Sequence, residues 1–374
     1  MIYLDYAADT PVCQQALDAF YSAAHLHIAN PNAAHPLGVT EKELFDDATA
    51  HIAARLGVLP AEIVYTSGAS ESNNLAIKGI AGQYKKYGRH IITTMLEHSS
   101  VIGPVEHLRA QGFAVDYVRL LPDGRVDTGH LLQLLREDTV LVSVCLVDSE
   151  LGIVQDIASI AAALAAYPRC RLHVDASQAV GKLPIAFDAA DLVTLTPHKF
   201  YGLTGCGLLV VKEGVLLESQ IHGGLSSSPF RSGTPSAAFA CSTAAALEAA
   251  LAELHPRLDY VRQLAAFLRG QLCVRDGIRI NSPEGCSPFI LNISVAEIKP
   301  EAMVHTLGQK GVCIASKSAC CAPGSLSRPV YALTNDRKAA VSTLRISLSH
   351  LTTEQELSEF LRCLDKCRTL QTRG

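Results

Sequence analysis

Apolar positions along the first 211 residues follow two alternating patterns. Short, uniformly apolar runs alternate with stretches whose apolar residues recur every three or four positions, as on one face of a helix. The runs predict strands at 63–66, 91–94, 115–119, 141–147, 172–175, 192–196 and 208–211. Helices are predicted at 13–27 and 39–57, and from about residues 70, 99 and 156. Apolar strands separated by helices predict a mostly parallel seven-stranded sheet that is covered on both faces.

The pattern changes after residue 256. A long amphipathic helix places Leu258, Val261, Leu264, Leu268 and Leu272 on one face. Strands near 278–281, 289–295 and 343–348 follow, together with helices at 300–310 and 353–368 and a glycine-bearing loop at 316–328. We therefore predict an α/β protein with a large domain at 15–256. A smaller α+β domain would combine residues 1–14 and 257–374.

Composition limits the classes of function. The chain has 374 residues, of which 48% are hydrophobic, and a formal net charge of −4, so it offers no basic surface for nucleic acid or an anionic membrane. The first residues lack the basic and apolar regions of a signal peptide, and the alanine-rich stretch at 158–166 is too short to cross a bilayer. We expect a soluble, cytoplasmic protein. Its twelve cysteines are scattered without a Cys-x-x-Cys pair, which predicts reduced thiols.

Polar residues follow several of the predicted strands, where open α/β sheets bind their ligands. Gly68 permits a tight turn after the first large-domain strand, and the amides of Ala69 and Ser70 would form an anion site at a helix N-terminus. The alternative is that Ser70 is an ordinary helix cap. His98 follows the next strand and is either a satisfied core histidine or a residue that lies flat against a cofactor ring.

The segment Thr196-Pro-His-Lys-Phe-Tyr-Gly202 carries the strongest chemical signal. Its Lys199 offers an amine for an imine, and Asp175, at the end of an upstream apolar strand, offers a carboxylate for a pyridinium nitrogen. These two groups are the minimum required for pyridoxal phosphate chemistry. Most lysines are solvated surface charges, so the interpretation depends on the polar residues at the other strand ends.

Eight sequence blocks together carry a family resemblance. They are TSGASESNNLAIKG, EHSSV, GIVQDI, VDASQAVGKLP, HKFYG, FRSGT, SACC and LRISL. In these blocks the chain resembles, almost end to end, a cysteine desulfurase of the class V aminotransferase group, with the type I fold of pyridoxal-phosphate-dependent transferases. The resemblance implies conversion of L-cysteine to L-alanine, with the sulfur left as an enzyme persulfide.

The resemblance also implies how the cofactor ring is held. Lys199 would bind pyridoxal 5′-phosphate through an imine, Asp175 would pair with the pyridine nitrogen, and Gln178 would bond the phenolic oxygen. His98 would stack on the ring and move protons. Asp148 stands where the family usually has asparagine beside the phenolic oxygen. Its carboxylate would then tune the cofactor, or it would turn away and cap the turn before Gly152.

The implied phosphate site contains residues from both subunits of a homodimer. The amides of Ala69 and Ser70 would bind the phosphate together with Thr196 and His198. Thr234 of the partner subunit would complete the site.

The substrate and the sulfur would meet a third group of residues. Arg345 would clamp the substrate carboxylate with its planar fork, and Asn30 would also face the substrate. Cys320 matches the cysteine that attacks the substrate sulfur, although the adjacent Cys321 also permits a strained disulfide between the two. Lys317 would either lower the pKa of Cys320 or be a solvated loop charge.

Other activities remain open at this level. The scaffold also suits a selenocysteine lyase or another enzyme of the class V aminotransferase type, and a non-catalytic sulfur-transfer subunit is a further alternative. The expected partner is a sulfur-acceptor protein, for iron–sulfur cluster assembly, thiolation or cofactor synthesis. The stretch 225–230 lacks the family's usual polar residues, which leaves the choice of partner open.

Overall fold

The computed structural model describes residues 1–224, 226–317 and 325–371. The helices are α1 (Gln14–Leu26), α2 (Pro36–Leu56), α3 (Ala69–Tyr84), α4 (Ser99–Ala110), α5 (Thr128–Leu134), α6 (Ile157–Leu164), α7 (Ala237–Ala252), α8 (Leu254–Cys273), α9 (Pro300–Gln309), α10 (Arg328–Thr334), α11 (Arg337–Val341) and α12 (Glu354–Gln371). The strands are β1 (Ile2–Tyr3), β2 (Ile63–Thr66), β3 (His90–Thr93), β4 (Ala114–Tyr117), β5 (Thr139–Cys145), β6 (Arg171–Asp175), β7 (Leu192–Leu195), β8 (Gly207–Val211), β9 (Ile278–Ile280), β10 (Ile290–Val295), β11 (Val312–Cys313) and β12 (Thr343–Ser347).

A seven-stranded sheet forms the centre of the fold, in the order β2-β8-β7-β6-β5-β3-β4. All neighbouring strands are parallel except at β8, which is antiparallel to both β2 and β7. The predicted α/β class and the mostly parallel seven-stranded sheet are confirmed. The parallel direction brings the ends of β3, β5, β6 and β7 to one edge of the sheet.

The strands are uniformly apolar because both faces of the sheet are buried. Successive residues of a strand point to opposite faces, so Val193 joins one core and Leu192 the other. The first core is closed by α2, α6 and α7, and the second by α3 and α4. This double cover fixes the register of each strand and leaves only the sheet edges available for a ligand.

Two smaller sheets contain the remaining strands. One is antiparallel, in the order β12-β10-β9, and packs on α8, α9 and α12. The other pairs β1 with β11 in parallel, with Ile2 opposite Val312. The first residues of the chain therefore lie beside its C-terminal third. The division into domains at 15–256 and at 1–14 plus 257–374 stays a prediction.

Helices α5, α7, α10 and α11 were not predicted from the sequence, and α2 begins earlier than expected. The pattern did not reveal α7, because its alanine-rich sequence is apolar on all sides and has no amphipathic period. Helix α2 begins at Pro36, three residues before the predicted residue 39, because Pro36 suits the first turn and the side chain of His35 accepts a hydrogen bond from the amide of Gly38.

No single helix in the described part of the chain is both long and apolar enough to cross a membrane. The pair α7 and α8 passes that test only when the two are taken together, and a bend of 64° separates them.

Candidate active site

A cavity of about 380 Å³ opens at the carboxyl ends of the parallel strands. It is lined by the predicted residues Ala69, Ser70, His98, Asp175, Gln178, Thr196, His198, Lys199 and Arg345. These come from five separate segments, which the fold brings to one edge of the central sheet. Asp148, Asn30 and Thr234 are not among the lining residues, and Cys320 lies outside the described residues.

Lys199 stands in a short 3₁₀ turn that follows β7. Burial and, to a smaller extent, the positive charge of Arg345 together lower the pKa of its amine to about 8. Nζ donates hydrogen bonds to the carbonyl oxygens of Ala7, at 2.8 Å, and Ala8. The amine is therefore held in place and carries a substantial neutral fraction near neutral pH, which suits a nucleophile.

Asp175 ends β6 with both carboxylate oxygens bonded. Oδ1 accepts from the amide of Ser177 at 3.0 Å, and Oδ2 accepts from the side chain of Asn73 at 2.8 Å. Asn73 is fully buried on α3, so it fixes the carboxylate at the bottom of the cavity. The carboxylate can pair with a positively charged ring nitrogen there.

Gln178 belongs to a network that includes a buried lysine. Its Oε1 accepts from Nζ of Lys182 at 3.0 Å, and its Nε2 donates to the carbonyl of Ala7 at 2.8 Å. A carbonyl oxygen only accepts, so Ala7 fixes which end of the amide is the NH₂ group and leaves the oxygen for Lys182. Burial and, to a smaller extent, the charges of Lys199 and Arg345 together lower the pKa of Lys182 to about 7.

The first turn of α3 provides donors for an anion. The amides of Ala69 and Ser70 donate to no acceptor within the described part of the chain. Gly68 precedes them with φ 155° and ψ 175°, a conformation essentially restricted to glycine. A Cβ on Gly207 of β8 would lie 2.5 Å from the backbone of Gly68, so two glycines together let this turn pack directly on the sheet.

The other residues predicted to bind phosphate follow β7. The hydroxyl of Thr196 donates to the carbonyl of Cys206 at 3.0 Å and lies 3.0 Å from Nδ1 of His198. Burial and, to a smaller extent, the charge of Lys199 together lower the pKa of His198 to about 4, so its imidazole is neutral at neutral pH. Both side chains border the same cavity as the amides of α3.

His98 is the N-cap of α4 and a wall of the cavity. Its Nδ1 accepts the backbone N–H of Ser100 at 3.1 Å and lies 2.8 Å from the Ser100 hydroxyl. Burial lowers the pKa of the imidazole. Of the two alternatives from the sequence, the structure excludes a histidine enclosed in the core.

Arg345 reaches the cavity from β12 and is only 2% exposed. Its Nη2 forms an ion pair with Asp5 at 2.6 Å, and its Nη1 donates to the carbonyl of Ser149 at 3.0 Å. Nε has no partner in the described part of the chain. The guanidinium is therefore fixed at the cavity wall with donor capacity for a carboxylate.

Asp148 does not line the cavity. It is fully buried, and its Oδ2 accepts the amide of Leu151, with the amide of Gly152 bonded to the Asp148 carbonyl at 3.1 Å. This is the turn-capping alternative from the sequence, and the placement beside the cofactor is not what the structure shows. Along the tight turn, neighbouring side chains diverge, and Ser149 lines the cavity instead.

Two other predicted residues are exposed in the single chain. Asn30 accepts the backbone amide of Asn32 at 2.9 Å and faces solvent. Thr234 is also exposed and does not line the cavity of its own chain.

Lys317 immediately precedes the segment 318–324 that contains Cys320. It is 6% exposed, so the alternative of a solvated loop charge is wrong. Its Nζ donates to the carbonyl of Ser325 at 2.6 Å and lies 4.0 Å from a carboxylate oxygen of Glu301. The two residues that flank the segment are therefore bonded to each other.

Pattern reasoning did not identify Asp5, Asn73, Ser100 or Lys182, although each contacts a predicted site residue. Asn73, Ser100 and Lys182 lie within the sequence blocks, and two of them follow a site residue at a short interval: Ser100 by two positions and Lys182 by four. Such spacing is the signal that could have indicated them.

These groups fit pyridoxal phosphate. The cavity combines a buried amine of lowered pKa, a fixed carboxylate and two uncommitted amides at a helix N-terminus. They match, in order, the aldehyde, the ring nitrogen and the phosphate of the cofactor.

Comparisons with known proteins agree with this chemistry. The aminotransferase class-V family matches residues 2–360. Cysteine desulfurase IscS of Neisseria meningitidis serogroup C is 37% identical over 365 residues, which cover 95% of this chain and 89% of that protein. A solved structure of a NifS-like protein has a TM-score of 0.92 and 30% identity, and the match covers 99% of both chains. The structure of SspA in complex with cysteine has a TM-score of 0.82 and 30% identity over 94% of this chain and 100% of that chain.

The family match and the relatives extend over nearly the whole chain, including both the central sheet and the C-terminal third. The chain belongs to the aminotransferase class-V family and, within it, to the pyridoxal-phosphate-dependent cysteine desulfurases.

Proposed function

We propose that this cysteine desulfurase takes the sulfur of L-cysteine as a persulfide on Cys320 and releases L-alanine. The observation that carries the proposal is that the amine of Lys199 and the guanidinium of Arg345 open onto one cavity. An amino acid whose carboxylate pairs with Arg345 would bring its amino end toward Lys199.

The residues of the chain have separate tasks in this reaction. Bound pyridoxal phosphate draws electrons from the substrate Cα. Lys199 would hold the cofactor and, once the substrate frees its amine, move the proton at Cα. Asp175 would keep the ring nitrogen protonated, and Gln178 would donate its NH₂ group to the phenolic oxygen. The amides of the first turn of α3 would bind the phosphate.

Cys320 would carry out the sulfur transfer. Its thiolate attacks the substrate sulfur, the Cβ–Sγ bond breaks, and the electron pair stays with carbon, which becomes the methyl group of alanine after protonation. Ala315, three residues before the segment 318–324, is hydrogen-bonded through its backbone to Arg345 of the cavity wall at 2.7 Å.

Paired cysteine variants test the assignment. Cys320→Ser should still bind cysteine, since binding uses Lys199 and Arg345, but its release of alanine should fall by orders of magnitude. Cys321→Ser is the matched control and should lose far less activity. The reverse result would assign the nucleophile to Cys321. Loss of activity in neither variant would refute a persulfide in this segment.

A second experiment tests the cofactor residue. Wild-type protein purified with pyridoxal phosphate should be yellow, and Lys199→Ala should lose the imine absorption band. A colourless wild type that takes up no cofactor would overturn the proposed function.

The alternative activities are not favoured by the relatives, which are named cysteine desulfurases. Selenocysteine lyase and aminotransferase activity are tested by supplying selenocysteine or an amino acid with a keto acid in place of cysteine. Faster turnover with either of these than with cysteine would overturn the assignment of L-cysteine as the substrate. We propose an acceptor protein of iron–sulfur cluster assembly or thiolation for the persulfide sulfur, and the cytoplasm as the location, since a reactive thiol needs a reducing compartment.

The enzyme is proposed to work as a homodimer. Leu17, Tyr21 and Leu26 of α1 and the nearby Ile28 expose between 41% and 83% of their surface, a large apolar area for a monomer. Thr234 would reach the phosphate of the partner subunit, in keeping with its exposure in a single chain. Sedimentation velocity should give twice the mass of one chain, and Tyr21→Glu should lower it to one. A wild-type monomer that is fully active would refute the shared site.

A further inference from the structure

A chain of hydrogen bonds runs behind His98 to the carboxylate of Asp175. It begins at Asn73, whose Nδ2 lies 2.8 Å from Oδ2 of Asp175 and 2.8 Å from Oγ of Ser100. An ionised carboxylate only accepts hydrogen bonds, so the end of the amide that faces Asp175 is the NH₂ group. That group has two hydrogens, and the second is directed to Ser100. Oγ of Ser100 therefore accepts from Asn73.

The same hydroxyl then has its own hydrogen to donate. Nδ1 of His98 lies 2.8 Å from Oγ of Ser100, and the backbone N–H of Ser100 also donates to Nδ1 at 3.1 Å. A ring nitrogen that receives donors has no hydrogen of its own. A neutral imidazole carries one hydrogen, which must then be on Nε2.

We infer that Ser100 and Asn73 are positioning residues that hold His98 as a neutral imidazole with its hydrogen on Nε2. The inference rests on the proposed place of His98 beside the cofactor and assigns its protonation there. Nδ1 is turned toward Ser100, so Nε2 lies on the other side of the ring. On that side His98 presents the N–H of Nε2, which is a donor. The lone pair that could take up a proton is on Nδ1, and it is already bonded to Ser100.

Proton removal and hydrogen-bond donation in the cavity then belong to two different residues. The family resemblance implies that His98 moves protons, whereas the proposed function gives the proton at the substrate Cα to Lys199. His98 in this form cannot remove a proton through Nε2, so removal at Cα falls to the amine of Lys199. His98 can donate a hydrogen bond from Nε2 to a ligand in the cavity.

The surrounding charges act in the same direction. Burial lowers the pKa of His98, and the cations Lys199 beyond β7, Arg328 on α10 and Arg345 on β12 lower it further, against the opposing charge of Asp175 on β6. Protonation would place a hydrogen on Nδ1, break the bond from the backbone N–H of Ser100 and force the Ser100 hydroxyl to accept instead of donate, which adds to the cost of the charged form.

Nuclear magnetic resonance of the full chain, with and without pyridoxal phosphate, reads the protonation of both ring nitrogens. Histidines are labelled with ¹³C and ¹⁵N, and the signals of His98 are identified among the 14 histidines by their loss in His98→Gln. The wild type should show Nε2 protonated and Nδ1 unprotonated from pH 6 to 8.5.

The variants separate the hydroxyl from general effects of substitution. Ser100→Ala removes one of the two donors to Nδ1 and should raise the pKa of His98 by roughly half to one pH unit, with a mixture of tautomers. Ser99→Ala, one position earlier on the same turn, is the control and should match the wild type. Ser100→Thr keeps a hydroxyl and should restore the single tautomer.

The same shift should appear in the acidic limb of the pH profile of kcat/KM for cysteine. A wild-type His98 with its hydrogen on Nδ1, or equal shifts in Ser100→Ala and Ser99→Ala, would overturn the inference. The proposed function fails separately, through absence of alanine release, whichever tautomer is found.

Discussion

Asp148→Asn is the substitution for which the structure and the sequence-based hypothesis predict different results. A place beside the phenolic oxygen of the cofactor would couple Asp148 to the imine, so that the visible absorption titration would move in the variant. In the structure the carboxylate instead caps the turn at Leu151 and is fully buried. We therefore expect the absorption titrations of the wild type and the variant, both loaded with pyridoxal phosphate, to superimpose.

The effect of the substitution should appear in stability. Burial and, to a smaller extent, the charge of Glu150 together raise the pKa of Asp148 from 3.8 to about 7. Between these two values the folded chain binds more protons than the unfolded chain, so stability falls as the pH rises through that window and is constant above it. Compared with a pH below 3.8, the free energy of unfolding is lower by about 2 kcal/mol at pH 5 and by about 4 kcal/mol at pH 8.

Asparagine keeps an oxygen for the amide of Leu151 but cannot ionise. The stability of Asp148→Asn relative to the wild type should therefore improve by about 2–3 kcal/mol between pH 5 and pH 8. An unfolding entropy of about 2.1 cal/mol/K per residue, over 374 residues, gives about 0.8 kcal/mol/K. The gain in Tm should be about 3 °C.

Thermal unfolding of both proteins at four or five pH values measures this difference, with Asp47→Asn, an exposed aspartate of α2, as the control. The control should follow the wild type at every pH. A difference in Tm that does not change with pH would refute a buried, ionising Asp148. A shifted absorption titration would restore the cofactor-tuning hypothesis.

Two further predictions concern buried charges around the cavity. Asp5→Asn leaves Arg345 buried without its counter-ion, and because Asp5 is partly exposed, the loss of stability should be about 1–3 kcal/mol. The KM for cysteine should rise severalfold, with a smaller change in kcat. An unchanged KM would contradict a role for this pair in carboxylate binding. Lys182→Met removes a buried amine that is hydrogen-bonded to Gln178 and whose pKa in the folded protein is lowered from 10.5 to about 7. The stability of the wild type should therefore rise with pH between these two pKa values, whereas the stability of the variant should not. A pH-independent difference in Tm between the two proteins would contradict it.

The central sheet was predictable because its signal is local. Each strand is a short apolar run, and burial on both faces imposes that pattern on β5 and β7 alike. Helix α7 was not predictable in this way, because the pattern recognises a helix only when one side is polar. Its alanines are small enough to pack against α1 and α2, which are amphipathic and were predicted.

The types of residue in the site were predictable, but the directions in which their side chains point were less so. Lys199 and Asp175 follow strands that end at the same sheet edge, so parallel topology alone brings them together. In the turn after β5, the family resemblance selected Asp148, which stands where the family usually has asparagine. Which of two adjacent side chains faces the cavity depends on the turn, and the Asp148–Leu151 hydrogen bond directs the carboxylate inward and leaves Ser149 at the wall.

Partners distant in the sequence were beyond reach of any local pattern. Asp5 and Arg345 are 340 residues apart, yet their ion pair, the bonds from Lys199 and Gln178 to Ala7, and the bond from Thr10 to His198 all involve residues 5–10. These contacts exist because β1 pairs with β11 and Asp5 bridges to Ser347, which brings the N-terminal residues to the cavity, where Ala7 and Ala8 line it. The same residues thus hold the amine that binds the cofactor and the guanidinium that binds the carboxylate. A substitution in residues 5–10 should therefore alter the positions of both the Lys199 amine and the Arg345 guanidinium. A substitution on the central sheet alone, or on the β12-β10-β9 sheet alone, should alter only one of them.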